Sequence, residues 1–232
     1  MWKHFLSLIF PDPSMCVCCE KRLSALGMCE DCRVHWQEVA TLEGQCGRCG
    51  VYGVRAPVCD TCRDWPGYYK GNTAFLPYTG TVREAIVRFK FHHEPWRVRG
   101  FASIIQAHAP MVADALVPVP LHPKRLRERG YNQSLLLAQV IAEAWEIPLA
   151  PRLLVRTVHT PHQTRLSKTA RMHNVAHAFA VPPTSLEAVR GKRLLLVDDV
   201  ITTGSTLLEC ARTLHQAGAK EIYSVTLAAG IR

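Results

Sequence analysis

The chain has 232 residues, of which 48% are hydrophobic and 20% charged, and its formal net charge is +9. Such a chain can bury a core in one large domain, or in a small and a medium one, and its composition excludes a disordered or fibrous protein. No apolar run approaches the roughly 20 residues that span a bilayer. The opening Met1 to Phe10 has a short apolar centre and no small-residue cleavage site, so no signal peptide is expected and the cytoplasm is the expected location.

Residues 1–69 hold 7 basic and 8 acidic side chains, residues 70–175 hold 15 and 6, and residues 176–232 hold 6 and 5. The positive excess therefore sits in the middle of the chain. Such a region suits nucleic acid or a polyanionic small substrate, and charge alone does not separate them.

Nine of the ten cysteines precede residue 63. They include the pairs Cys16/Cys19, Cys29/Cys32, Cys46/Cys49 and Cys59/Cys62, and each of the first four recurs 30 positions later, so the segment is a tandem repeat. A C-x2-C pair wraps two thiolates around one side of a zinc ion, and two pairs complete a tetrahedral site. Eight cysteines thus make two four-cysteine sites. The short spacing favours Cys16, Cys19, Cys29, Cys32 on one ion and Cys46, Cys49, Cys59, Cys62 on the other; a cross-brace fits the same spacing. A closed all-thiolate site has no open position, so the zinc is expected to be structural. A disulfide framework does not suit a cytoplasmic chain. Cys18 reads as an ordinary knuckle residue and Cys210 as a small buried hydrophobe on a helix.

From about Thr73 strands and helices alternate. Thr73 to Tyr78 reads as a strand, Thr81 to Phe91 as a helix with Val82, Ala85, Ile86 and Phe89 on one face, and residues 98–113 as another helix. Ala115 to Val119 is a strand and Asn132 to Trp145 a strong helix. Leu153 to Val155 is a short strand, and residues 156–175 form a long polar loop or weak helix. Arg193 to Val197 is a buried strand, Thr206 to Gln216 a helix stopped by Gly218, and Glu221 to Leu227 a final strand. The alternation predicts a parallel α/β sheet.

The most informative stretch is Leu194 to Thr206. An apolar strand ends in Asp198 and Asp199, and the loop Val200-Ile201-Thr202-Thr203-Gly204-Ser205-Thr206 then opens a helix. Loop N–H groups and a helix N-terminus make an anion site, and Gly204 permits close approach or positive φ. Two adjacent carboxylates can accept hydrogen bonds from vicinal sugar hydroxyls, so the whole suits a 5-phosphorylated ribose. No G-x-x-x-x-G-K-[ST] and no G-x-G-x-x-G after a strand is present, which argues against a nucleoside triphosphate loop. Upstream, the Pro-rich turn after Val119 leads to Lys124, Arg125, Arg127 and Arg129, and then to a helix capped near Asn132.

Val197 to Thr206 resembles the phosphoribosyl pyrophosphate (PRPP) motif of type I phosphoribosyltransferases. There, two acids contact the ribose hydroxyls and the following loop holds the 5-phosphate. That resemblance implies PRPP contacts at Asp198, Asp199, Val200, Ile201, Thr202, Thr203, Gly204, Ser205 and Thr206, with Mg2+ accompanying the substrate. It implies pyrophosphate contacts at Lys124, Arg125 and Arg129. It also implies that the polar loop closes over the site and brings Gln163, Lys168 and Arg171. Asp198, Asp199, Lys168 and Arg171 are then the candidate catalytic residues.

The cysteine knuckles, the helix end Phe89-Lys90-Phe91, Arg129-Gly130-Tyr131-Asn132-Gln133, the spaced Gln163, Leu166, Ser167 and Arg171, and the acidic loop together resemble the ComF family over nearly the whole chain. Tyr131 stands where many members carry Phe. The expected architecture is a double zinc-ribbon module over residues 1–69, followed by a parallel-sheet type I phosphoribosyltransferase domain over residues 70–232. The resemblance implies a cytoplasmic role in uptake or use of transforming DNA. It also implies single-stranded DNA and a competence helicase or translocase as partners. An active transferase and a catalytically silent PRPP-binding scaffold both fit, and the family's acceptor is not settled. Two four-thiolate zinc sites would bring the module to a formal charge of about −5, so DNA contact is expected on residues 83–171, and the module's aromatics read as core.

Overall fold

The computed structural model describes residues 15–22, 24, 27–158 and 177–232. In chain order its main elements are helices α1 (Glu30–Glu43) and α2 (Asp60–Arg63), strand β1 (Tyr69–Pro77) and helix α3 (Gly80–Phe91). A 3-10 helix (Pro95–Phe101) runs into α4 (Ala102–Ala107). Then come β2 (Ala115–Pro118), α5 (Pro123–Arg129), α6 (Gln133–Trp145), β3 (Val155–Arg156), β4 (Phe179–Ala180), α7 (Leu186–Val189), β5 (Arg193–Ile201), α8 (Ser205–Gln216) and β6 (Glu221–Ala229).

Four strands form a parallel sheet in the order β1-β6-β5-β2, and β3 pairs antiparallel with β4 in a separate two-stranded sheet. A parallel strand covered on both faces must be apolar throughout, and Leu194 to Val197 of β5 are all fully buried. Alternate residues of that run face opposite sides. Leu195 and Val197 join a core with Phe89, Leu137 and Ile141 from α3 and α6, whereas Leu194 and Leu196 join one with Leu207, Cys210 and Leu214 from α8.

The cysteine repeats are built into these same two cores. Cys16 and Cys29 pack in the first and Cys46, Cys49, Cys59 and Cys62 in the second, so one repeat lies on each side of the sheet. Val17 packs on Gly100, where a Cβ would meet its side chain at 2.5 Å. Its carbonyl accepts a 3.0 Å hydrogen bond from buried Arg97. Arg97 also pairs with Glu94 and Glu20. In the second repeat, Asn72 on β1 donates to the Cys49 carbonyl at 3.0 Å and to Thr226 on β6 at 3.0 Å, tying the knuckle to the sheet.

Several elements differ from the sequence expectation. Strand β5 runs four residues past Val197, through both acids, because β6 extends to Ala229 and offers it parallel partners. The helix expected over 98–113 is a 3-10 turn followed by α4, which stops at Ala107; Pro110 lies just ahead and disfavours helical geometry in the residue before it. The cationic stretch is not an open loop but α5, with Pro123 in its first turn, His122 accepting from the Lys124 N–H at 3.2 Å, and Gly130 at φ 83° ending it. Helix α1 was not expected. The polar loop over 156–175 lies mostly outside the described residues.

Candidate functional site

Cys29 and Cys59 occupy equivalent places in the two repeats. Each precedes a helix in extended conformation, at φ −69° and −72°. Each donates its N–H at 3.3 Å to the sulfur 13 residues earlier, Cys16 and Cys46. The sulfurs of Cys16, Cys19, Cys29 and Cys32 lie within 4.8 Å of one another, and so do those of Cys46, Cys49, Cys59 and Cys62. This is the sequential pairing, not the cross-brace. The Cys19–Cys29 and Cys49–Cys59 sulfurs are 3.9 and 3.8 Å apart. Four thiolates around one ion at a Zn–S distance of about 2.3 Å stand about 3.8 Å from each other, so both sets could hold structural zinc. The crowded thiols share protons: hydrogen bonds from Cys18 and Cys62 pull Cys16 and Cys49 down, while burial pushes Cys29, Cys32 and Cys59 up. Cys18 stands outside the four-sulfur group, and buried Cys210 lies on α8 with its thiol pushed well up by burial.

On the other side of the chemistry, a cleft of about 270 Å³ opens at the carboxyl ends of β1, β2 and β5. Ligands of parallel α/β sheets bind at such ends. Its floor is Asp198 and Asp199 on β5. One wall is Thr202 and Thr206 of the following loop, and the facing wall carries Arg125 and Arg129 of α5. Asp199 is 3% exposed. Its Oδ1 lies 2.8 Å from Lys90 Nζ, at the end of α3, and its Oδ2 is buried with no hydrogen-bond partner among the described residues. Asp198 is half-buried, and its Oδ1 accepts from Ser134 Oγ at 2.9 Å and from the Asp199 N–H at 2.9 Å. Burial, together with the neighbouring Asp199 carboxylate, pushes its acid up to about 7 against the opposing pull of Lys90.

Past the acids, Gly204 adopts φ 78° and caps α8. Only glycine takes this left-handed turn without strain, and it lets the chain swing from strand into helix within three residues. The first N–H groups of α8 have no intrahelical partner, and Thr206 in that first turn lines the cleft. Thr203 and Ser205 hydroxyls bond each other at 2.9 Å.

The sequence-derived candidates fall into three sets. Asp198, Asp199, Val200, Thr202, Thr206, Arg125 and Arg129 line the one cleft. Lys124, exposed on α5, does not line it, nor do Thr203, Gly204 and Ser205 of the loop, and Ile201 is buried beneath the loop. Gln163, Lys168 and Arg171 lie outside the described residues. The cleft also contains Lys90, Tyr78 and Arg156, none of which the sequence reading assigned to it. Arg156 is buried, its guanidinium 5.3 Å over the Phe179 ring, and burial with nearby Arg125 lowers its pKa. Arg129 donates to Gln133 Oε1 at 2.6 Å and lies 5.0 Å over Phe91, which fixes the fork toward the cleft.

Residues 132–232 match the phosphoribosyl transferase domain family. The chain is 31% identical to competence protein F of Haemophilus influenzae over 218 residues, 89% of this chain and 93% of that one. It is 28% identical to the DNA utilization protein YhgH of Escherichia coli over 219 residues, 90% and 94% of the two chains. It is likewise 28% identical to competence protein ComFC of Bacillus subtilis over 233 residues, 96% and 87%. No helix among the described residues is long and apolar enough to cross a membrane.

Proposed function

This chain belongs to the ComF family, with a parallel-sheet phosphoribosyltransferase fold, and from that premise we propose that its cleft binds PRPP in the service of DNA uptake or utilisation. The observation that carries this reading is the pair of carboxylates. They sit side by side near the end of an inner parallel strand, directly before the turn into the N-terminus of α8, and both line the cleft. Carboxylate oxygens only accept hydrogen bonds, and a ribose offers two adjacent hydroxyl donors to acids that line the cleft.

In this reading the ribose hydroxyls donate to Asp198 and Asp199. The 5-phosphate takes the N–H groups between Thr202 and Thr206 with the two threonine hydroxyls. Arg125 and Arg129, with Arg156 behind them, face the pyrophosphate and its accompanying Mg2+. The family resemblance assigns Gln163, Lys168 and Arg171 to that end. Transfer would form a bond from a nitrogen nucleophile to C1 as the C1–O bond to pyrophosphate breaks. The protein's part is to orient the sugar and to stabilise charge on the leaving pyrophosphate. Residues 1–69 are the zinc module and residues 70–232 the transferase domain. Single-stranded DNA is the macromolecular partner, held by the basic middle of the chain.

Calorimetric titration with PRPP and Mg2+ tests the binding, and saturable one-to-one uptake is expected. Pyrophosphate release on adding candidate amines or bases then separates a working transferase from a scaffold that only binds. Absence of any PRPP binding would overturn the reading.

A further inference from the structure

A Cβ at Gly204 would stand 2.8 Å from Cζ2 and 3.2 Å from Cη2 of Trp65. The indole therefore lies in direct contact with the backbone at the turn of the phosphate loop. It is 8% exposed and does not line the PRPP cleft. Instead it borders a separate hollow with Thr203 and Ser205, while Thr202 and Thr206 border the cleft. The loop is thus clasped, with ligand space on one side and an aromatic plate on the other.

Trp65 comes from the second cysteine repeat. Its N–H donates to the Cys62 carbonyl at 3.2 Å. The Arg48 guanidinium donates to the Cys62 carbonyl at 2.8 Å and to the Trp65 carbonyl at 2.9 Å, while the Arg48 N–H donates to Cys46 Sγ at 3.4 Å. The Tyr69 ring packs on the indole at 5.1 Å between centroids. A short chain of bonded atoms therefore joins the second set of thiols to the ring, and the ring to Gly204. The first set packs in the other core, away from Trp65.

We infer that Trp65 is a positioning residue for the 5-phosphate loop, and that the second four-cysteine group sets the shape of that loop through the Cys62–Trp65 segment. The inference rests on the PRPP reading of the cleft. An anion site made of backbone N–H groups works only if those groups converge before the ligand arrives, because ordering them afterwards costs conformational entropy. A rigid ring behind the turn supplies that order, and glycine is required at 204 both for its φ and for the ring's approach.

The test uses the full chain and two half-ligands, ribose 5-phosphate and inorganic pyrophosphate with Mg2+, each titrated by calorimetry. Trp65→Ala is expected to weaken ribose 5-phosphate by about tenfold or more, the size of one or two lost charge-assisted hydrogen bonds, and to leave pyrophosphate within about twofold. Trp65→Phe keeps a flat ring and should retain most of the affinity. Arg48→Met, remote from the cleft, should reproduce the selective loss in smaller measure. If Trp65→Ala does not fold, Trp65→Leu, which fills the core without a flat face, is read by the same ratio. Equal loss of both half-ligands, or no loss of ribose 5-phosphate, overturns the inference while leaving PRPP binding intact. A wild-type chain that binds neither half-ligand overturns the PRPP reading and this inference with it.

Discussion

Lys90, at the end of α3, pairs with Asp199, near the end of β5, at 2.8 Å in a largely buried setting. The pair joins the helix that follows β1 to the strand that carries the acidic loop. Removing one partner leaves the other charge buried and alone, which costs about 3 kcal/mol or more in comparable cases. Lys90→Met should therefore lower stability to denaturant by roughly that amount, and weaken PRPP. Combining it with Asp199→Asn should cost clearly less than the two single changes together, because the double variant leaves no lone charge. Additive costs would mean that the pair is not a unit.

Asp198 makes binding depend on pH. Its acid is pushed up to about 7 by burial and by the Asp199 carboxylate, against an ordinary value of about 3.9 in an unfolded chain. The folded state holds this proton more tightly than the unfolded one. Its contribution to stability is therefore fully present below about pH 4 and is lost as pH rises through about 7. Ligand hydroxyls favour the ionised carboxylate, so ribose 5-phosphate affinity should rise between roughly pH 6 and 8. The phosphate of the ligand titrates nearby too, so the informative quantity is the part of the slope that Asp198→Asn removes. An identical slope in that variant would contradict the assignment.

Much of this was legible before any coordinates, for reasons that particular residues make plain. The repeat of four cysteines at a 30-residue shift fixes ligand identity, and thiolate chemistry does the rest. Leu194 to Thr206 is readable because strand, acids, glycine and hydroxyls are contiguous in the chain. Lys90 was not readable as a site residue. It approaches Asp199 from over a hundred positions away, and a lysine in the last turn of an amphipathic helix has an ordinary explanation at the helix C-terminus. Trp65 reads as core from the sequence and is buried, and only its packing against Gly204 shows what that core supports. Lys124 belongs to the same cationic run as Arg125 and Arg129, but on a helix adjacent residues point in different directions, and only the latter two face the cleft. Helix α1 carries a weak apolar pattern, so its sequence does not announce it even though Gly44, at φ 66°, ends it.

The two sulfur groups are geometrically equivalent, with matching N–H to sulfur bonds at Cys29 and Cys59. Reduced, freshly purified protein should therefore contain about two zinc ions per chain by elemental analysis. Cys29→Ser and Cys59→Ser should each reduce the zinc content. Protein without zinc would remove the metal reading, and a single ion in the wild type would remove the equivalence of the repeats.

Single-stranded DNA binding is expected to be weak, indifferent to sequence and steeply dependent on salt. The positive excess lies in residues 70–175, and Lys124 and Arg127 stand exposed on α5 beside the cleft arginines. If about six phosphates are contacted, affinity should fall by orders of magnitude from low to moderate salt. PRPP with Mg2+ should compete, and Arg125→Ala with Arg129→Ala should weaken both ligands. DNA affinity that ignores salt and these arginines, but falls on changing exposed residues of the cysteine repeats, would place DNA elsewhere.

Calorimetric titration of PRPP with Mg2+ into the wild-type chain and into the double variant Asp198→Ala, Asp199→Ala bears most directly on the cleft. The wild type should bind one equivalent. The variant should bind none detectably while keeping a folded far-ultraviolet spectrum and its zinc, because the sugar has lost the acceptors that orient it. PRPP affinity unchanged in a folded double variant would contradict the assignment and move the ligand away from β5.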